Sequence, residues 1–360
     1  MEKIKIIHVI GELSIGGAEK LLLDLARKID KKKFELIVVS LKSGGSLMPD
    51  FESIGIRVEI IPKRFKLDWT VINRLTKFFE QEKPDIVHTH LFIGDYWGGR
   101  AALRANVPRI VSTKHDILNE GICRNLLGRG IRQKFDRTIA ISKATKDFLI
   151  NKEKIKPKKI AVIYNGIDIP KFYFEDSNIL KNDQILFGTV GRLVPEKGHI
   201  HLIQAMSLIK KTNWHLQIVG GGPLEKKLKR FVKRKKLENN VQISGTAKDI
   251  RPMLEKFDVF VLPSISEGLS LAVIEAGVAG KLVVASSVGG VPEIIRNQAT
   301  GLLYKTKNLE ELVRSLSWVF DHREDCQKMA TRLQAETVQR FDINKIVIQY
   351  EDLYKGLITA

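Results

Sequence analysis

Two loops in the second half of the chain carry the residue types best suited to chemistry. Gly191-Arg-Leu-Val-Pro-Glu-Lys-Gly198 sets Arg192 and Lys197 on either side of a turn that enters a helix. A guanidinium offers a fork of donors and an ammonium a point charge, and the two together suit a diphosphate. They would also serve as two surface cations beside a turn. Pro263-Ser-Ile-Ser-Glu-Gly-Leu-Ser-Leu-Ala-Val-Ile-Glu275 places Glu267 in a loop and Glu275 eight residues on, with a helix expected from near Ser270. Eight residues of helix rise about 12 Å. The carboxyls of a glycosidase acid/base pair lie roughly 5–9.5 Å apart. The spacing therefore fits two grips on one elongated ligand, since carboxylates accept well from paired sugar hydroxyls. The amides of Gly268, Leu269 and Ser270 sit where a helix N-terminus meets phosphate.

The first half holds a second group of candidates. Gly11 to Glu19 includes Gly16 and Gly17, which permit a tight turn and close backbone approach before a helix. The spacing is not GxGxxG, so a dinucleotide fingerprint is absent, and an ordinary glycine turn remains open. His88 and His90 are two apart at a strand end and can point to one side. With His115 they could gather zinc, but no acidic or thiol ligand pattern accompanies them, so no metal is expected. His90 is read as lining a substrate. His115 is read either as a site residue or as a packed ring. Asn165-Gly166 reads as a turn beside a hinge.

These loops need elements to hold them. Short β-branched runs alternate with helical patterns. Strands are expected at Lys5–Ile10, Glu35–Leu41, Val58–Ile61, Ile86–His90, Arg109–Thr113 and Arg137–Ile141, then at Leu186–Val190, His215–Val219, Val241–Ser244, Val259–Leu262 and Leu282–Ala285. Helices are expected at Ala18–Ile29, Trp69–Glu80 and Asp342–Ile358. Runs apolar on both faces and separated by helices indicate parallel sheets in an α/β fold. Two doubly wound, Rossmann-like domains follow, over 1–168 and 184–341, with a linker at 169–183 and a C-terminal helix, 342–360, packing back on the first domain. In such sheets ligands bind beyond the carboxyl ends of the strands, which is where the motifs fall.

Composition narrows the class. The 360 residues are 44% hydrophobic and 28% charged, enough for sizeable cores. Two cysteines, Cys123 and Cys326, make no disulfide framework and fit a reducing cytoplasm. The N-terminal apolar run is short and carries His8, so it reads as a strand, not a signal peptide. The net charge of +19 attracts nucleic acid, anionic lipid or phosphorylated substrates. The basic run Lys226–Lys236 is explained by a solvated helix face. Cations and apolar residues mix in Lys63–Trp69. They mix again on an expected helix with Ile122, Leu126, Leu127 and Ile131 among Arg124, Arg129, Arg132, Lys134 and Arg137. Such mixtures suit an anionic membrane surface, or equally a helix packed on a core with its charges solvated.

The ordered set of phrases resembles the GT-B glycosyltransferases of the family 4, or group 1, type. Glu267 to Glu275 in SEGLSLAVIEAG is the family's Glu-x7-Glu, and GRLVPEKG its phosphate-binding phrase. PDIVHTH, STKHD, IAISKATKDFL and VIYNGID follow its N-terminal phrases in their usual order. The match covers nearly the whole chain. The resemblance implies a GT-B fold, two Rossmann-like domains facing across a cleft. It implies a hexosyltransferase-type enzyme that needs no metal and no cofactor beyond a nucleotide diphosphate sugar. Transfer would retain anomeric configuration, to a glycan or lipid-linked acceptor in polysaccharide or glycoconjugate biosynthesis. Arg192, Lys197, Gly268, Leu269 and Ser270 would hold the donor diphosphate. Glu275 would hold ribose, and Gly245 and Thr246 would meet the nucleobase. Glu267 and His115 would act at the transferred sugar. Gly16, Gly17 and His90 would line the acceptor side. The expected location is the cytoplasm, peripheral at the inner face of its membrane, with no nucleic-acid partner. A nucleotide-sugar epimerase or a phosphorylase would use the same fold, and a basic nucleic-acid-binding protein is the non-enzymatic alternative.

Overall fold

The computed structural model describes residues 3–65, 67–117, 122–175 and 179–359, and of residues 122–125 the backbone only. The chain forms two compact units, Met1–Gly166 with Ile343–Ala360, and Ile167–Asp342.

Among the described residues, the first unit has seven parallel strands. They are β1 (Ile4–Ile10), β2 (Phe34–Ser40), β3 (Arg57–Ile60), β4 (Ile86–His90), β5 (Arg109–Lys114), β6 (Arg137–Ala140) and β7 (Ile160–Val162), in spatial order β3-β2-β1-β4-β5-β6-β7. The inner strands are runs of Ile and Val because both faces are covered. On one face Leu21, Leu22 and Leu25 of the helix Gly17–Lys28 pack with Tyr350 and Tyr354; on the other lie Val71, Leu75, Phe79, Trp97 and Phe135. The C-terminal helix Ile343–Thr359 belongs to this unit and buries Ile343, Ile346, Val347, Tyr350, Tyr354 and Leu357 in it. The β1–β4 register sets His8 opposite His88, and the β4–β5 register sets His90 opposite Thr113.

The second unit has, among the described residues, β8 (Ile185–Val190), β9 (Trp214–Val219), β10 (Val241–Ile243), β11 (Val259–Leu262), β12 (Leu282–Ser286) and β13 (Leu302–Tyr304). All are parallel, in spatial order β10-β9-β8-β11-β12-β13. The basic helix Glu225–Arg234 buries Leu228 and Val232 and turns its lysines outward.

Three expectations need correction. The segment 169–183 is not a free linker. It contains the short helix Ile169–Phe172, and Ile179 and Leu180 enter the core of the second unit. The Leu180 amide donates to Asp258 Oδ1 at 2.8 Å, and Arg323 donates to the carbonyls of Leu180 and Asn182. Residues 176–178 lie outside the described residues. Strands β7 and β13, of three residues each, stand in addition to the strands expected. The cationic helix ends at Arg132, Lys134 lies in the turn after it, and Arg137 opens β6. Lys66 and the side chains of Ile122, Cys123 and Arg124 lie outside the described residues.

Ending the chain at Asp342 removes six apolar side chains from the first core. Calorimetry of this truncation is expected to lose the first unit's unfolding transition and keep that of the second. Two intact transitions would show that the C-terminal helix is dispensable.

Candidate functional site

In the second unit the candidate residues converge at the carboxyl ends of β8, β9, β10 and β11. The loop after β8 turns at Pro195–Lys197 and enters the helix His199–Met206 through Gly198, at φ 67°. A Cβ on Gly198 would lie 1.9 Å from the Pro263 carbonyl oxygen, so only glycine admits this approach. The Ile265 amide donates to the Glu196 carbonyl at 2.7 Å and ties this loop to the one after β11. There Lys197 Nζ meets Glu267 Oε1 at 2.6 Å, and Ser264 Oγ donates to the same oxygen at 2.6 Å. Ser286 in turn holds the Ser264 carbonyl at 2.5 Å. Glu267 is 8% exposed, its carboxylate oriented from two sides, while Arg192 is exposed.

Glu275 is buried in the helix Leu271–Val278, which begins after Ser270. Glu267 therefore lies outside the helix, and only part of the eight-residue spacing is helical. Leu269 and Ser270 are buried. The Gly245 carbonyl accepts from the Gly220 amide at 2.7 Å, and the Leu193 amide donates to Gly221. Gly220, at φ 152°, would bring a Cβ within 1.9 Å of the Gly191 oxygen. This glycine run, Gly220-Gly221-Gly222, joins the loop of Gly245 and Thr246 to the loop of Arg192; the sequence reading missed it. Three consecutive glycines after a strand were the available signal.

In the first unit, Gly16 precedes the helix Gly17–Lys28 in an extended conformation, and the Glu19 carboxylate folds back over it. His115 follows β5 and is partly exposed. Its Nε2 lies 3.1 Å from His90 Nδ1. His90 is 2% exposed, and its Nε2 lies 2.9 Å from His8 Nδ1. His90 thus lies behind His115 and does not line a surface, because both its nitrogens are engaged by other rings. His88 sits between the Tyr354 hydroxyl at 2.6 Å and Thr113 Oγ1 at 2.7 Å.

The nitrogens of His8, His88 and His90 lie within 4.8 Å of one another. Tetrahedral zinc would hold nitrogens about 3.3 Å apart, whereas His8 and His90 meet at hydrogen-bond distance and His88 is used twice by hydroxyls. The cluster is a hydrogen-bonded stack. Burial pushes His8 down to about 3 and His115 to about 4, Asp116 opposing and Lys114 reinforcing the shift at His115. His88 and His90 fall well below the ordinary range, chiefly by burial, with the neighbouring rings adding to it.

Beside this stack lies a buried ion network that no local pattern announces. Arg132 reaches Asp95 at 2.5 Å and Glu153 through two bonds at 2.7 Å. Asp95 also accepts from Thr89 and Ser112, and Lys114 pairs with Asp116 at 3.0 Å. Burial works against the Arg132 charge, and the two carboxylates more than restore it. Arg132 therefore offers nothing to a membrane.

Residues 15–171 match the model of Glycosyltransferase Family 4, and residues 172–335 that of Glycosyl transferases group 1. The chain is a glycosyltransferase of this family. It is an enzyme of the hexosyltransferase type. A UDP-Gal:alpha-D-GlcNAc-diphosphoundecaprenol alpha-1,3-galactosyltransferase of Escherichia coli is 28% identical over 381 aligned positions, 99% of this chain and 98% of that one. An N-acetyl-alpha-D-glucosaminyl L-malate synthase of Bacillus anthracis is 27% identical, covering 81% and 80%. The crystal structure of Anabaena HepE with UDP and glucose shares the fold, with a TM-score of 0.88 at 23% identity over 98% of this chain and 100% of that one. The glycosyltransferase has the two-domain α/β architecture of GT-B proteins.

The neutral histidines give the glycosyltransferase an acid limit. An unfolded histidine takes up a proton below about 6.5, and these rings do so only near 3 to 4 when folded. The unfolded state then binds more protons, so stability falls as pH drops from about 6.5, by about 2 kcal/mol per ring at pH 5. Urea midpoints for the first unit are expected to fall steeply between pH 7 and 5. A flat profile would mean the rings are protonated in the fold.

Proposed function

We propose that this glycosyltransferase transfers a sugar from a nucleotide diphosphate sugar to a glycan or lipid-linked acceptor. Transfer retains anomeric configuration, uses no metal or other cofactor, and serves polysaccharide or glycoconjugate biosynthesis. The observation that carries the reading is the Lys197–Glu267 pair at 2.6 Å, a cation suited to phosphate beside a carboxylate suited to sugar hydroxyls. Breaking the sugar–phosphate bond develops negative charge on the leaving group. Arg192, Lys197 and the amides of Gly268, Leu269 and Ser270 stabilise it as preorganised donors. Glu275 takes the ribose hydroxyls, and Gly245 and Thr246 border the base. Glu267 is the catalytic candidate of the second unit, at the transferred sugar, and His115 that of the first. Gly16 and Gly17 serve the acceptor side. The Escherichia coli relative, by its name a UDP-galactose enzyme acting on a diphosphoundecaprenol-linked sugar, supports both the donor and the acceptor class.

Thermal-shift measurements with UDP-, GDP- and ADP-sugars, in EDTA, test the donor site, because a ligand of the native state raises the melting temperature. One nucleotide class is expected to shift wild type and to lose its effect in Glu275→Ala. Lys197→Ala and His115→Ala are expected to lower turnover at least tenfold. Full activity in the three variants would remove these roles.

We also place this enzyme at an anionic membrane face, in the cytoplasm. Leu126 and Leu127 are exposed beside an open groove of about 730 Å³ whose cations are Arg100, Arg104 and Lys134. Exposed Trp69 lies against Arg100, and no helix among the described residues is long and apolar enough to cross a membrane. Apolar groups ringed by cations suit anionic lipid. Phosphatidylglycerol vesicles should sediment wild type at low salt and release Leu126→Glu/Leu127→Glu. Equal binding of both, or none by wild type, overturns the membrane role.

A further inference from the structure

His115, His90 and His8 form one row of rings joined by two hydrogen bonds, at 3.1 and 2.9 Å. The two ends of the row, His115 Nδ1 and His8 Nε2, are buried and have no partner. Each neutral imidazole carries one N–H and one lone pair. Both hydrogen bonds can then form in only two ways. Either all three protons sit on Nε2, or all three sit on Nδ1.

The two arrangements differ in where the unpaired N–H falls. Protons on Nε2 leave it on His8, in mid-strand and 0% exposed, where nothing can accept it. Protons on Nδ1 leave it on His115, whose Nδ1 is also buried but whose residue is partly exposed at the end of β5, so this is the end of the row that a bound oxygen could approach. An orphaned buried N–H is rare and costly; on His8, 0% exposed, the cost has no remedy, whereas on the partly exposed His115 a bound oxygen would relieve it, which favours the second arrangement.

The rings have little freedom to reorient. His90 stacks on His88 with centroids 4.4 Å apart, and His88 is itself held by Tyr354 and Thr113. The charged neighbours of His115 are Lys114 and Asp116, paired with each other.

We propose that His8 and His90 are positioning residues that hold His115 in its Nδ1-protonated form. His115 then presents a neutral N–H donor to an oxygen of the bound substrates and does not act as a base. The consequence for turnover rests on the role of His115 proposed above; the tautomer does not.

The test uses the full chain labelled with 15N-histidine, in long-range 1H–15N correlation spectra at pH 7.5, with His115→Ala assigning the signals. His115 is expected to show a protonated Nδ1 and a bare Nε2. A protonated Nε2, or two tautomers in exchange, overturns the proposal without reference to activity. His8→Leu cuts the row, and His8→Asn keeps a polar group near the Nδ1 position. His8→Leu is expected to mix the tautomers and lower kcat about tenfold with donor KM within twofold, and His8→Asn to recover part of that loss. Unchanged kcat in His8→Leu overturns the positioning role. If His115→Ala itself turns over like wild type, the proposed role of His115 falls while the tautomer result stands.

Discussion

Every strand in both sheets runs parallel to its neighbours, and the rest of the architecture depends on that single direction. Parallel strands bring all their carboxyl ends to one edge of the sheet, so every strand-to-helix loop opens there. In the first unit the edge gathers the Gly16–Gly17 turn after β1, His90 as the last residue of β4 and His115 after β5. In the second it gathers the loops after β8, β9, β10 and β11, which glycine contacts then draw together. Residues scattered over more than eighty positions, from Arg192 to Glu275, become neighbours because four strands end side by side.

The two units handle polarity differently. In the second, the site is built on loops, and its cations remain at least partly exposed: Arg192 is open and Lys197 retains about a quarter of its side-chain surface. In the first, polar groups are driven inside. Arg132, Asp95 and Glu153 form a buried trio whose desolvation cost is offset by bidentate geometry and by the hydroxyls of Thr89 and Ser112. Four histidines are accommodated differently, by being neutral. Both solutions bracket the end of β5, with Lys114 tied into the ion network and His115 into the ring stack. The strand end is thereby held from two sides by interactions that tolerate little displacement.

The C-terminal helix shows why chain order and spatial order part. It follows the second unit in sequence yet supplies Tyr350 and Tyr354 to the core of the first. The Tyr354 hydroxyl ends at a histidine 266 positions earlier.

Much of this was legible in the sequence because the signals are local. Val and Ile runs mark buried strands within five or six residues. Arg192, Lys197 and Glu267 stand out because glycine and proline set their loops apart, Glu275 because it follows Glu267 by eight residues, and the ordered phrases led to the glycosyltransferase family. Strands β7 and β13 were not expected, and the 169–183 segment looked like a linker because its anchors, Asp258 and Arg323, lie far along the chain. His8 reads as one polar residue in an apolar strand and Arg132 as one of a set of cations on a helix, and nothing local ties Asp95 or Glu153 to either. Only tertiary packing decided their partners. Periodicity and turn chemistry are written in windows of a few residues, whereas the pairing of buried nitrogens and charges is chosen by whichever groups the sheet register brings within three ångströms.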